Sequence, residues 1–269
     1  LFDDAALFPP GDAPMAAAVP AHRELCSRLG GLVGPFVVPA ARLAELAGHL
    51  PDGAPIGISV IAGAAELPAV VDRVTADPRL TLAAVEVPVV ADAAAARQLT
   101  RVLAAVLPAG VPAAVELPRT GTRDDVLDVL AAAGLRAKLR TGGLRAELFP
   151  SVEELAETLS ACTTRGVPVK CTAGLHAAVR HTDPATGFPH HGFLNLLVAV
   201  DALTSDTPAL AALQEEDGAE LAAIVRHWSP ERVARVRSAY TSFGTCSVLE
   251  PVDDLVALGL LPAPERVPA

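Results

Sequence analysis

The sequence predicts an α/β fold of the parallel (β/α)8-barrel class, with residues 1–269 forming one domain. Three observations lead there. A chain of 269 residues has the size at which eight strand–helix units close into a single body. Short apolar runs alternate with Ala- and Leu-rich amphipathic stretches almost from end to end, the order that builds right-handed βαβ repeats. The runs are continuously apolar rather than alternating, as in strands covered on both faces. An open doubly wound sheet is the rival, but no G-x-G-x-x-G motif follows an early strand.

Strands are expected near Phe2–Phe8, Pro35–Val38, Ile56–Ile61, Leu82–Val87, Ala113–Leu117, Ala137–Thr141, Val167–Thr172 and Ser242–Ser247. Gly30-Gly31, Pro51-Asp52-Gly53, Pro108-Ala109-Gly110 and Gly134 mark turns between them. The fourth and fifth strands share a near-repeat, Ala83-Ala84-Val85-Glu86-Val87-Pro88 and Ala113-Ala114-Val115-Glu116-Leu117-Pro118, which fits a body of similar units. About 70 residues separate the seventh strand from the eighth, more than one crossover helix requires. Within that interval the insertion, residues 181–240, opens on a turn-rich stretch from His181 to His191. Helices follow near Gly192–Leu203, Pro208–Arg226 and Pro230–Tyr240. A long helical insertion after a barrel strand is expected on the catalytic face, as a lid or a contact between subunits of a homodimer or other homo-oligomer.

Half of the chain is hydrophobic (51%) and its mean hydropathy is +0.41. No apolar stretch near 18 residues is free of charge and proline, and there is no signal-peptide layout. A soluble, cytoplasmic protein with no membrane partner is expected. The net charge of −10, with one Trp and one Tyr, gives neither a basic groove nor a stacking platform for nucleic acid. Cys26, Cys162, Cys171 and Cys246 form no C-x-x-C pair and read as reduced, packed thiols.

The charges are distributed unusually. Arginine supplies nearly all the positive charge, and Lys138 and Lys170 are the only lysines. Both interrupt strands expected to be buried, where an amine is rare unless paired or functional. Strand alternation turns Arg140 to the same side as Lys138, and Thr172 to the same side as Lys170. Glu86 and Glu116 interrupt their strands in the same way. These ionisable groups are expected to converge at the C-terminal mouth, where barrel enzymes carry out their chemistry. A deprotonated lysine attacks a carbonyl to give a Schiff base whose iminium is an electron sink. Lowering a lysine pKa by about three units takes roughly 4 kcal/mol of differential destabilisation. A second lysine and Arg140 nearby are the expected source, and Glu86 with Asp3 would handle protons.

Several segments resemble the deoxyribose-phosphate aldolase family of class I, Schiff-base aldolases. Phe2-Asp3-Asp4-Ala5-Ala6-Leu7-Phe8-Pro9 resembles that family's opening strand, with Asp3 at its aspartate. Val85-Glu86-Val87-Pro88 is similar to the strand bearing a catalytic aspartate, here lengthened to Glu86. Lys138-Leu139-Arg140-Thr141-Gly142 resembles K-T-S-T-G, whose lysine forms the Schiff base. Val169-Lys170-Cys171-Thr172-Ala173-Gly174-Leu175 resembles the segment whose lysine tunes the first. Phe243-Gly244-Thr245-Cys246-Ser247-Val248-Leu249 is similar to F-G-x-S-S-L-L, where a substrate phosphate meets a helix N-terminus. The resemblance implies a lyase with Lys138 as nucleophile, and with Arg140, Gly174, Gly244 and Ser247 around the anionic end of a small carbonyl substrate. Arg140 beside the nucleophile, Glu86 and Cys246 depart from the family pattern and imply a substrate other than deoxyribose 5-phosphate.

His176, His181, His190 and His191 cluster after the seventh strand, followed by Asn195, the only asparagine. His176, His191 and Asn195 are expected to touch substrate, with Glu116 and Thr172. The histidine spacing matches no zinc signature, and lysine chemistry calls for no metal and no cofactor. Two alternatives remain open: a metal-assisted hydrolase or isomerase using the loop histidines, and a catalytically inactive barrel that binds a partner.

Overall fold

The computed structural model describes residues 1–50, 53–119 and 121–262. Eight parallel strands form a closed barrel: β1 (Phe2–Asp4), β2 (Val33–Pro39), β3 (Ile56–Ile61), β4 (Leu80–Val87), β5 (Ala113–Glu116), β6 (Arg136–Arg140), β7 (Val169–Thr172) and β10 (Tyr240–Thr245). Each pairs with its neighbour in chain order, and β10 closes the ring on β1. Between β7 and β10 stands an antiparallel hairpin, β8 (His181–Thr182) and β9 (Pro189–His190). The expected class and its eight strands are therefore observed. The turn expected at Pro51-Asp52-Gly53 lies mostly outside the described residues. No helix is long and apolar enough to cross a membrane among the described residues.

The helices α1 (Met15–Leu29), α2 (Leu43–His49), α3 (Leu67–Ala76), α4 (Ala93–Val106), α5 (Arg123–Ala133) and α6 (Val152–Thr164) fill the crossovers. Their boundaries have local causes. Asp92 and Ser151 accept the backbone N–H groups of Ala95 and Glu154, capping α4 and α6. Gly134, in the left-handed conformation at φ 64°, ends α5. Val85, Val115, Ala137, Leu139, Val169 and Phe243 are buried on the outward faces of their strands, beneath this helical layer.

The first strand is shorter than expected because Asp4 ends it. Its carboxylate accepts the N–H of Ala6 (3.1 Å) and pairs with the buried ring of His22 (2.9 Å), so the chain turns before Phe8. The last strand begins two residues early and stops at Thr245, whose hydroxyl donates to the Ser247 carbonyl.

The insertion divides into two parts. Its helices α7 (Phe193–Leu203), α8 (Leu210–Gln214), α9 (Gly218–Arg226) and α10 (Pro230–Ala239) belong to the wall of the barrel, with α7 packed on α6, α8, α9 and α10. Phe193 sets α7 directly on the strands, its ring 5.9 Å from Phe2 and 5.1 Å from Phe243. Only the hairpin stands at the mouth, where His190 packs 4.7 Å from Phe149. The helix expected over Pro208–Arg226 is two helices, broken where Glu215 leaves helical geometry.

Candidate active site

Parallel pairing brings the interrupting charges together. Glu116 is the register partner of Lys138, Lys138 of Lys170, and Lys170 of Ser242, so four polar residues stand in one row around the barrel. Because every second residue faces inward, Glu86 and Asp3 enter the same interior from β4 and β1. The result is a chain of alternating charge. Arg140 Nε meets Glu116 Oε1 at 3.1 Å, and Glu116 Oε2 meets Lys138 Nζ at 3.4 Å. Lys138 Nζ lies 3.1 Å from Glu86 Oε2, and Glu86 Oε1 lies 2.5 Å from Lys170 Nζ. Lys170 Nζ ends the series at Asp3 Oδ2, 2.6 Å away. Lys138, Lys170, Glu86 and Asp3 are all at most 4% exposed.

Three residues that the sequence did not single out complete this arrangement. Ser59 on β3 donates to Glu86 Oε1 (2.8 Å), and Ser242 on β10 donates to Asp3 Oδ2 (2.7 Å). Gly34 makes room for Asp3: a Cβ at residue 34 would lie 2.1 Å from Asp3 Oδ1. Ser59 is the one polar side chain in its strand, a signal legible in principle.

The electrostatics differ from the expected crowding of cations. Glu86 stands between the two lysines, and Glu116 between Lys138 and Arg140. Burial works against ionisation of Glu86, but Lys170, Lys138 and the hydrogen bonds from Lys170 and Ser59 outweigh it and hold its pKa down to about 2. Burial likewise disfavours the Lys170 ammonium. Glu86 and Asp3 prevail and raise its pKa above the ordinary lysine value. Lys170 is thus a locked cation, whereas Lys138 is held by longer contacts.

No family model and no curated protein matches this chain.

Geometry alone therefore carries the functional reading. At the mouth, the ends of β6 and β7 are tied: Thr141 Oγ1 donates to the carbonyls of Ala173 (2.5 Å) and Thr172 (3.2 Å). Gly174, at φ 75°, lies against Gly142, whose Cα would be 2.9 Å from a Cβ on Gly174. Ala173 precedes it at φ 61°, a conformation that strains a residue bearing Cβ. Thr172 is half-buried at the end of β7, its hydroxyl 3.8 Å from where a Cβ of Gly244 would stand. Outside the ring, a cleft of about 270 Å³ runs from Glu116 and Arg140 over Leu117 and Leu139 to Leu155 on α6. Arg140 reaches it with both terminal nitrogens free of hydrogen bonds to the described residues.

Other expected contacts are placed elsewhere. Asn195 is fully buried and spent on backbone: it accepts from Arg180 N (2.8 Å) and donates to the carbonyls of Ala212 (2.8 Å) and Glu215 (2.7 Å). His191 is buried, donates to the Pro150 carbonyl (2.9 Å), and is pushed below its ordinary pKa mainly by burial. His176 bonds Glu250 at 2.8 Å near Cys246, whose following residue Ser247 precedes α11 (Leu249–Ala257). Both flank the mouth, apart from the charge series. His190 stacks on His181, and burial followed by His181 lowers its pKa. Among the described residues, no three His, Cys, Asp or Glu side chains gather in a way that would hold a metal ion, so the histidine cluster provides no such set.

Proposed function

We propose that the protein is a class I aldolase-like lyase, in which Lys138 forms a Schiff base with a small carbonyl substrate bearing an anionic group. The observation that carries this reading is the charge series itself: the chain's two lysines lie in one register row, bridged by one carboxylate. In the reaction, the neutral Lys138 amine adds to the carbonyl carbon. The carbonyl oxygen leaves as water after taking up two protons, and a protonated imine remains. A carboxylate beside the site takes the proton of the hydroxyl on the β-carbon, and the Cα–Cβ bond breaks with its electrons flowing to that nitrogen. The β-fragment departs as a carbonyl compound, and the enamine is protonated and hydrolysed by water to regenerate the amine.

The carboxylates beside Lys138 favour the protonated imine. With every cation in the series matched by a carboxylate, loss of a proton from Lys138 leaves one negative charge uncompensated. Forming the iminium restores the cation at the same atom, between Glu86 and Glu116. This is electrostatic stabilisation preorganised where charge develops. Lys170, bonded to both Glu86 and Asp3, keeps Glu86 ionised beside Lys138 as an acceptor for the proton the amine gives up. Arg140, with its open nitrogens, would hold the anionic end over the cleft.

Saturated ion pairing favours one other reading, a barrel whose lysines are architectural and whose mouth binds a partner. Reductive trapping separates the two. Borohydride is added to the folded protein with a panel of small aldehydes and oxo acids, and adducts are mapped by peptide mass. The lyase reading expects a stable adduct on Lys138 that survives in Lys170→Arg at a reduced rate and disappears in Lys138→Arg. Absence of adducts with every carbonyl, in protein of verified fold, would sink it in favour of the binding barrel.

A further inference from the structure

The lower half of the barrel interior is not balanced. Strand β6 presents Arg136, Lys138 and Arg140 at alternate positions, all on its inward face. Lys138, Arg140 and Lys170 are each matched by Glu86, Glu116 or Asp3. Arg136 makes no ion pair and no hydrogen bond among the described residues. The four cations of β6 and β7 thus face three carboxylates, one positive charge in excess before Arg237, just ahead of β10, is counted. One oxygen of each of two carboxylates is doubly engaged: Asp3 Oδ2 takes Lys170 and Ser242, and Glu86 Oε1 takes Lys170 and Ser59.

Beneath the charge series lies a cavity of about 200 Å³, bordered by Asp3, Ala84, Ala114, Arg136, Lys170 and Ser242. Barrel interiors are usually filled by layers of branched side chains; here Ala84 and Ala114 leave the layer empty. The cavity belongs to the N-terminal end, since Arg136 opens β6 and Pro112, just before β5, also borders it. A second guanidinium strengthens the field there, with Arg237 donating to the carbonyls of Tyr240 (2.9 Å) and Thr241 (2.5 Å). Burial lowers the Arg136 pKa, and the field of Asp3 opposes that only in part.

We propose that this cavity binds a small oxyanion, a carboxylate or phosphate group, held by the Arg136 guanidinium from the barrel end opposite the lysine mouth. A planar guanidinium fork matches two oxygens of such a group. The volume falls below the roughly 300 Å³ at which pockets for larger organic ligands begin, so the occupant is an inorganic oxyanion or a short-chain acid. Its negative charge offsets part of that excess, and it lies on the Arg136 side of the cavity that Asp3, Glu86 and Lys170 also border, without entering the mouth. The site stands whether or not Lys138 forms a Schiff base.

Calorimetric titration of the full chain with sodium phosphate, acetate and chloride at matched ionic strength tests the proposal. Saturable binding of phosphate or acetate that depends on Arg136 is expected, at least about tenfold tighter than chloride, since a charge-assisted hydrogen bond is worth that much or more. The tighter of the two oxyanions identifies the source of the group. Arg136→Gln should weaken binding by about tenfold or more. Ala114→Leu, which fills the cavity and leaves every charge in place, should do the same and covers the case in which Arg136→Gln does not fold. Unchanged affinity in the folded variants, chloride binding equal to phosphate, or no saturable binding to the unmodified chain would each overturn it.

Discussion

An ammonium inside a barrel must be matched by a carboxylate or lose its proton, and both lysines here are matched. The residue beside Lys170's strand shows what the mouth costs locally. Ala173 is held at φ 61°, where a Cβ is strained by about 1–2 kcal/mol, because the Thr141 hydroxyl holds its carbonyl and Gly174 must press on Gly142. Ala173→Gly is expected to relieve that strain and offset its own gain in unfolded-state entropy, raising stability by about 0.5–1 kcal/mol. Urea denaturation measures it; a lower midpoint at unchanged slope would show that the Ala173 methyl contributes packing that outweighs the strain. At this scale, the sequence makes Lys138, Lys170, Glu86, Glu116 and Arg140 legible because each interrupts an apolar run. Ser242, Gly34 and Arg136 are not legible from the sequence, and Ser59 only as the one polar side chain of its strand. Their roles depend on which strand residue stands opposite, and hydroxyls, glycine and a strand-end arginine are common in strands for other reasons.

Among the elements, the strands were readable to within a few residues because apolar runs fix them, whereas the insertion was not. Hydrophobicity interrupted only by Asn195 in Phe193–Val200 identifies a helix buried on all sides, yet nothing local says whether it covers the mouth or the wall. The three aromatic rings of Phe2, Phe193 and Phe243 decide it. Asn195 then acts as a pin, joining Arg180 after the mouth loop to Ala212 and Glu215 around the end of α8. Asn195→Ala strands one backbone donor and two acceptors in the interior. A loss of about 2–4 kcal/mol is expected, with faster amide hydrogen exchange confined first to residues 178–216. Exchange that stays native-like in that segment would show that water replaces the amide and that the pin is dispensable.

Over the whole molecule, the charge series joins β1, β3, β4, β5, β6, β7 and β10 through Asp3, Ser59, Glu86, Glu116, Lys138, Lys170 and Ser242, leaving only β2 outside it. The packing of strands against helices sets the fold, but this polar tie makes the closed ring depend on pH. The acid limit follows from Glu86, whose pKa falls from 4.5 in the unfolded chain to about 2 in the folded one. A depressed folded value means that the unfolded chain binds the proton first on acidification. The stability Glu86 contributes is therefore complete above 4.5 and is lost as pH falls towards 2, an amount on the order of 3 kcal/mol. Lys170 has the opposite sign. Its raised value keeps its contribution complete below 10.5, to be lost only as pH climbs through the folded pKa. In Glu86→Gln the two lysines share one carboxylate fewer, so a destabilisation of about 3–5 kcal/mol is expected at neutral pH. Urea midpoints of both proteins, taken at intervals from pH 7 to 2, give the decisive quantity, the difference between them. It should stay constant down to 4.5 and shrink below it, because acid gives the unmodified protein the same neutral side chain that the variant carries. A difference that holds its size across that interval would mean that Glu86 does not carry the charge balance of the barrel, and that the lysines are compensated from Asp3 and Glu116 alone.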